Sequence, residues 1–248
     1  MLFNLRLFQL PLIRRLVLSI VLWVGWPSSA FSESDCAGCI ELIEVIEGES
    51  EETTPEGSTG STSAPPSSAS YFGVAVLDTG VQLQPPLLAP GSISFVGGDP
   101  LVDYAKQGTH GTAVAQVILT LAPGSKILSL QTSTGGSSVS ASAVYQGLLH
   151  AAANPSIRVI NHSNAALATV PGDAMLAAAA ADKVVVMGAG NDWLANPAGD
   201  ALHAPGLGGK GLIVGGLGPD GKMLKFSNHA GAYAGHYVVA LGASQFAD

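Results

Sequence analysis

Charged residues are scarce in this sequence, at 11% of 248 positions, and basic ones are the scarcer sign. So little charge beside 47% hydrophobic residues excludes a disordered chain or a coiled coil. Ten Lys and Arg against eighteen Asp and Glu give a net charge of −8, which lacks the basic surface that nucleic-acid binding needs. The two cysteines are too few for a four-cysteine zinc site. We therefore expect one sizeable globular domain with extensions and no nucleic-acid partner.

Long apolar runs are also missing beyond the first 32 residues. That segment has basic residues ending at Arg15, an apolar run from Leu16 to Trp26, and then small residues. The run is shorter than the ~20 residues of a comfortable membrane span, so a cleaved signal peptide is favoured over a retained anchor. Residues 1–32 therefore predict export to the periplasm, cell surface or medium, with cleavage after Ala30 or Ser32 and membrane contact through this segment only.

Residues 33–70 form a predicted acidic linker of low complexity. Nine of the eighteen acidic residues fall between Glu33 and Glu56, and the rest of the segment is rich in Ser, Thr, Gly and Pro. Such a composition cannot bury enough apolar surface to order itself. Cys36 and Cys39 lie in this linker, either as a small local disulfide or as two idle thiols.

Residues 71–248 alternate short apolar runs with helical patterns, which is typical of an α/β domain with a parallel sheet covered on both faces. The strand candidates are Gly73–Leu77, Lys126–Leu130, Ile157–Asn161, Lys183–Gly188, Gly211–Leu217 and Tyr237–Leu241. The helix candidates are Thr112–Leu121, Val139–Ala153 and Gly172–Asp182. Because ligands bind beyond the carboxyl ends of parallel strands, the chemistry should follow those ends.

Three polar residues stand in such places. Asp78 directly follows a strand, His110 lies between glycines where a helix begins, and Asn191 follows a strand through Gly-Ala-Gly. A helix N-terminus disfavours an imidazolium, which suits a general base. Taken singly, each residue has an ordinary structural interpretation as a turn or cap residue.

Their joint order resembles the subtilisin-like serine peptidases, the subtilases. The similar segments are VAVLDTG at Asp78, GTHGTAVA at His110, APGSKILSL, VINHS, MGAGND at Asn191, LKFSNHAG and YVVALG, and the resemblance covers residues 71 to about 242. The resemblance implies a three-layer α/β fold and hydrolysis of peptide bonds by an Asp-His-Ser triad. Asp78 would orient His110, His110 would be the general base, and Asn191 would donate to the oxyanion.

The resemblance also implies a cleft for peptide or protein substrates. Ser163, Asn164 and Ala165 match the strand edge that pairs with substrate backbone, and Gly135 and Gly136 match the opposite edge. No cofactor is expected. Many subtilases bind structural calcium, but no calcium ligands are identifiable in this sequence.

The sequence departs from the family pattern at the nucleophile. In the family, the catalytic serine lies in a Gly-Thr-Ser segment that begins a buried helix. We find no such segment before Asp248. Either the peptidase domain at 71–248 is incomplete and its C-terminal part is missing, or Gly242–Ala247 is a degenerate serine segment with Ser244 as nucleophile. Spacing favours the first. We expect the chain alone to hydrolyse peptides little, and the alternative function is an inactive exported remnant that binds extended peptides.

Overall fold

A computed structural model describes residues 71–104, 109–135 and 139–241. The predicted signal peptide, the linker and the cysteine pair all fall within residues 1–70 and lie outside this description. Gly136 and Ser244 lie outside it as well.

The described chain is built on one seven-stranded sheet in which every neighbouring pair of strands is parallel. The strands are β1 (Gly73–Asp78), β2 (Ile93–Ser94), β3 (Lys126–Gln131), β4 (Ile157–His162), β5 (Val184–Gly188), β6 (Gly211–Leu217) and β7 (Tyr237–Leu241). Their spatial order is β2-β3-β1-β4-β5-β6-β7. The interior strand β1, between β3 and β4, is buried along its whole length, as expected for a strand covered on both faces.

Helices cover both faces of the sheet, which gives three layers. Helix α1 (His110–Leu121) packs its Val114 and Ile118 against Val74 and Val76 of β1. Helices α2 (Ala141–Ala153) and α3 (Gly172–Ala180) pack on the other face. Short 3₁₀ helices occupy Ala165–Leu167, Gly199–Leu207 and Gly231–His236. No helix among the described residues is long and apolar enough to cross a membrane.

The α/β class with helices on both faces of a parallel sheet is therefore confirmed. All six predicted strands and all three predicted helices are present, with ends within two residues of those expected. The structure adds β2, whose two residues are too few to leave a periodic signal, and the three 3₁₀ helices. The turns that follow β1, β3, β4 and β5 meet at one edge of the sheet, and every candidate site residue in the described chain lies at or just beyond this edge.

Candidate active site

The structure brings Asp78 and His110 together. The His110 Nδ1 atom lies 2.7 Å from the Asp78 Oδ1 atom, and both side chains are buried, Asp78 completely. Asp78 is the last residue of β1, and His110 is the first residue of α1. Because an ionised carboxylate can only accept, Nδ1 carries the proton in the neutral ring, and Nε2 is then the basic nitrogen.

Two glycines allow β1 and α1 to approach this closely. A β-carbon on Gly111 would collide with the carbonyl oxygen of Gly80 and lie 3.1 Å from the Asp78 β-carbon. Gly80 itself has φ +107°, a conformation that residues with a side chain rarely adopt, and a β-carbon there would collide with the Val102 carbonyl. Gly80 and Gly111 are thus needed because the backbone after β1 contacts the backbones of α1 and of the loop at Val102.

A hydrogen-bond chain through Thr79 and Asp103 supports the pair. The Gly111 N–H donates to Thr79 Oγ1 at 3.2 Å, and the Thr79 hydroxyl donates to Asp103 Oδ1 at 2.6 Å. The other carboxylate oxygen of Asp103 accepts the Thr112 N–H at 2.7 Å, while Thr109, at the N-cap of α1, makes no side-chain cap. Asp103 therefore caps the helix that carries His110. Sequence reasoning missed this residue, which reaches the helix from a preceding loop without any local capping signal.

Asn191 lies two strands away from Asp78, in the loop that follows β5. Its side chain is half-buried, and the preceding Gly190 has φ +106°. The loop is bound to a second segment by the Trp193 N–H, which donates to the Phe226 carbonyl at 2.8 Å. That second segment is FSNHAG at residues 226–231, which resembles a segment of the subtilases but to which the sequence assigned no role.

The predicted substrate edge after β4 differs from an extended strand. Ser163 is buried, and its hydroxyl accepts the Asn161 side-chain N–H at 2.8 Å. The carbonyls of Asn164 and Ala165 accept the N–H groups of Leu167 and Ala168 in a 3₁₀ turn. An extended peptide would therefore have to pair with other backbone groups of this segment or open the turn.

The opposite predicted edge follows β3. Gly135 is half-buried with φ +76°, and its N–H donates to the Ser133 hydroxyl at 3.2 Å. The turn at Gly135 thus lies on the other side of β1 from the segment at Ser163.

A second histidine–aspartate pair lies beside Ser163, at the end of β4. His162 Nε2 is 3.0 Å from Asp200 Oδ2, and both side chains are fully buried. Asp200 Oδ1 accepts the Val170 N–H at 2.7 Å. Nothing in the sequence pattern pointed to this pair, because its members are joined only by the fold.

Metal ligands are not grouped in the described ranges. No set of three or more His, Cys, Asp or Glu side chains there is placed to hold a metal ion. No calcium ligands are therefore assigned in residues 71–104, 109–135 and 139–241.

The parallel sheet and the buried Asp78–His110 pair at its carboxyl edge define a subtilisin-like α/β domain. The family model of the subtilase family matches residues 70–246, and the chain belongs to this family.

Among solved structures, the chain is similar to the prenylagaramide maturation protease PagA, with 25% identity and a TM-score of 0.50 over 68% of this chain and 62% of that one. It also shares its fold with a mutant of the protease domain of PatA, with 21% identity and a TM-score of 0.55 over 68% and 66% of the two chains. This chain spans less than two thirds of the length of either protein. A search of curated proteins found no significant match.

Proposed function

We propose that this chain carries the acid–base part of a serine-peptidase site that hydrolyses peptide bonds in peptides or proteins. The observation that carries the proposal is the 2.7 Å contact between His110 Nδ1 and Asp78 Oδ1, buried at the carboxyl edge of the sheet. Family membership supports it.

In the proposed mechanism, His110 Nε2 accepts the proton of a serine hydroxyl as that oxygen attacks the peptide carbonyl. Asp78 holds the ring in the required tautomer and stabilises the imidazolium that forms. His110 then returns the proton to the leaving amine. The Asn191 side-chain amide donates to the oxyanion, a contact whose loss lowers turnover by about 10²–10³ in subtilisin.

A direct test is the tautomer of His110, measured from the ring ¹⁵N shifts of the full chain at a pH where the ring is neutral. The expected form carries its proton on Nδ1, and Asp78→Asn should disturb that preference because the amide can also donate to the ring. A proton on Nε2 in the unmodified chain would contradict the proposed base, since Nε2 could not then accept from a serine.

The nucleophile is identified by labelling the purified chain with a fluorophosphonate and mapping the modified residue. A label on Ser244 that is lost in His110→Gln would make Ser244 the nucleophile, activated by His110. No label and no hydrolysis would exclude Ser244 as the nucleophile and favour the alternative, an inactive chain that binds extended peptides. A serine label that persists in His110→Gln would exclude His110 as the base. The matched control is His150→Gln, a half-buried histidine on α2 that hydrogen-bonds the Gly91 carbonyl at 3.0 Å.

We further infer that the protein is exported, on the strength of the charge and hydropathy pattern of residues 1–32. Mass analysis and N-terminal sequencing of the product from its natural host test this. A mature chain should begin at Phe31 or Glu33 and be found in the periplasm, at the surface or in the medium. An intact Met1 terminus in the cytoplasm would contradict export.

A further inference from the structure

The loop that carries Asn191 is exposed and has no regular secondary structure. Residues 192–196 are all exposed, and neither a helix nor a strand includes them. Gly190 and Trp193 both have positive φ, +106° and +53°, which is unusual for a residue as large as tryptophan. Such a conformation persists only where surrounding contacts impose it.

Asn228 makes four hydrogen bonds to this loop, three of them through its fully buried side chain. The Asn228 Oδ1 atom accepts the Asp192 and Leu194 N–H groups, each at 2.9 Å. Its Nδ2 group donates to the Ala189 carbonyl at 3.0 Å, and its backbone N–H donates to the Gly190 carbonyl at 2.9 Å. These four bonds engage the residues on both sides of Asn191.

Asn228 is itself fixed to the sheet. The Tyr237 hydroxyl, from β7, donates to the Asn228 carbonyl, and the neighbouring Ser227 hydroxyl accepts the Gly216 N–H of β6 at 2.9 Å. Burial raises the pKa of Tyr237, so its hydroxyl keeps the donor proton at neutral pH. The loop at Asn191 is thereby connected through Asn228 to the two last strands of the sheet.

We propose that Asn228 is a positioning residue that holds the 189–194 loop so that the Asn191 side chain is presented at the carboxyl edge of the sheet. The hydrogen bonds of Asn228 to the loop do not depend on the proposed function. Only the purpose of the placement rests on it: a fixed Asn191 amide would be oriented in advance to donate to the oxyanion. A primary amide suits the position because a single short side chain must accept two N–H groups and donate one.

Hydrogen exchange in the full chain distinguishes hydrogen bonding from packing. In Asn228→Leu, which keeps the branched shape of the side chain but can neither accept nor donate, the Asp192 and Leu194 amides should exchange about 10–100-fold faster. In Asn228→Asp, whose carboxylate still accepts, they should stay protected. The Asn191 side-chain amide resonance should move in Asn228→Leu and stay near its original position in Asn228→Asp. If Asn228 were needed only for packing, the Asp192 and Leu194 amides would stay protected in both variants, and that result would overturn the proposal.

The matched control is Asn154→Leu. Asn154 also accepts a backbone N–H, from Ser156 at 3.0 Å, but it lies before β4 at the opposite end of the sheet. Its replacement should speed exchange at Ser156 and leave Asp192 and Leu194 unchanged. Equal effects of both leucine variants on the 189–194 loop would count against a specific role for Asn228.

The unmodified chain gives an independent measurement in case the variants do not fold. The amides of Asp192 and Leu194 should exchange as slowly as those of β5 and β6, despite the exposure of these residues. Rapid exchange there would overturn the proposal. The tautomer of His110 is measured separately and tests the proposed catalysis alone. If His110 carried its proton on Nε2 while the Asp192 and Leu194 amides exchanged slowly, the proposed catalysis would be refuted and the positioning role of Asn228 would stand.

Discussion

The carbonyl oxygen of Gly80 occupies the space where a β-carbon on Gly111 would lie. Gly111→Ala must therefore push the first turn of α1 away from β1. We expect a loss of about 1–3 kcal/mol in the free energy of unfolding. The larger effect should be on the contact between His110 and Asp78, because the displaced turn carries His110. Urea denaturation and the ¹⁵N shifts of the His110 ring measure the two effects.

Gly206→Ala is the control for this substitution. Gly206 lies in a 3₁₀ helix, has ordinary φ, and has no atom within 4 Å of the position of an added β-carbon. It should unfold at nearly the same urea concentration as the unmodified chain. A Gly111→Ala protein with unchanged stability and unchanged His110 shifts would show that α1 and β1 are less tightly apposed than described.

Asp103 should matter for both stability and the site, because its carboxylate caps α1 and accepts the Thr79 hydroxyl. Removing a helix cap costs about 0.5–2 kcal/mol, so Asp103→Ala should lower the free energy of unfolding by that amount and perturb the His110 resonances. Asp99→Ala is the control, since the exposed Asp99 carboxylate accepts only a local N–H, from Leu101. Equal losses in the two variants would argue against capping by Asp103.

Sequence patterns predict the fold well here because each strand and helix is a local feature. The run Val74–Leu77 is long enough to be a buried strand, and the apolar spacing in Val114–Leu121 repeats with the period of a helix. The sequence also singled out Asp78 and His110 from two motifs separated by 32 positions, and the fold places their side chains in contact.

The supporting residues could not be predicted in the same way. Asp103 and Asn228 act through loops whose mutual placement depends on the finished sheet, and neither loop has a periodic pattern. The same holds for the pairing of His162 with Asp200 across 38 positions. The turn at Asn164 was also missed, since the family resemblance implied an extended edge there. The catalytic and substrate-binding roles remain predictions.

The buried pair of His162 and Asp200 should show strong coupling. Replacing one partner by leucine leaves the other polar group buried without its partner, which costs about 3–5 kcal/mol. The double variant His162→Leu/Asp200→Leu removes both groups and should be more stable than Asp200→Leu alone, although the Val170 N–H still lacks its acceptor. Urea denaturation of the four proteins gives the coupling free energy. If the losses of unfolding free energy in the two single variants added up to the loss in the double variant, the two side chains would not be coupled.

Lys183 gives a prediction that depends on pH. Its Nζ group donates to the Asn154 and Ile157 carbonyls at 2.9 and 2.8 Å, and the residue is buried. Burial lowers the pKa of Lys183 below the ordinary lysine value of 10.5, and the nearby Arg158 lowers it further. Replacement by methionine removes both hydrogen bonds and should cost about 1.5–3 kcal/mol at neutral pH.

The sign of the pH effect follows from that lowered pKa. Between the folded-state pKa and 10.5, the unfolded chain binds a proton that the folded chain does not, so folding becomes more favourable as pH rises. The stability of the unmodified chain relative to Lys183→Met should therefore increase through this alkaline window and stay constant below it. Urea denaturation of both proteins from neutral pH upward measures the difference. A difference that shrinks with rising pH would mean that folding favours the charged ammonium, so that hydrogen bonding to the two carbonyls outweighs burial.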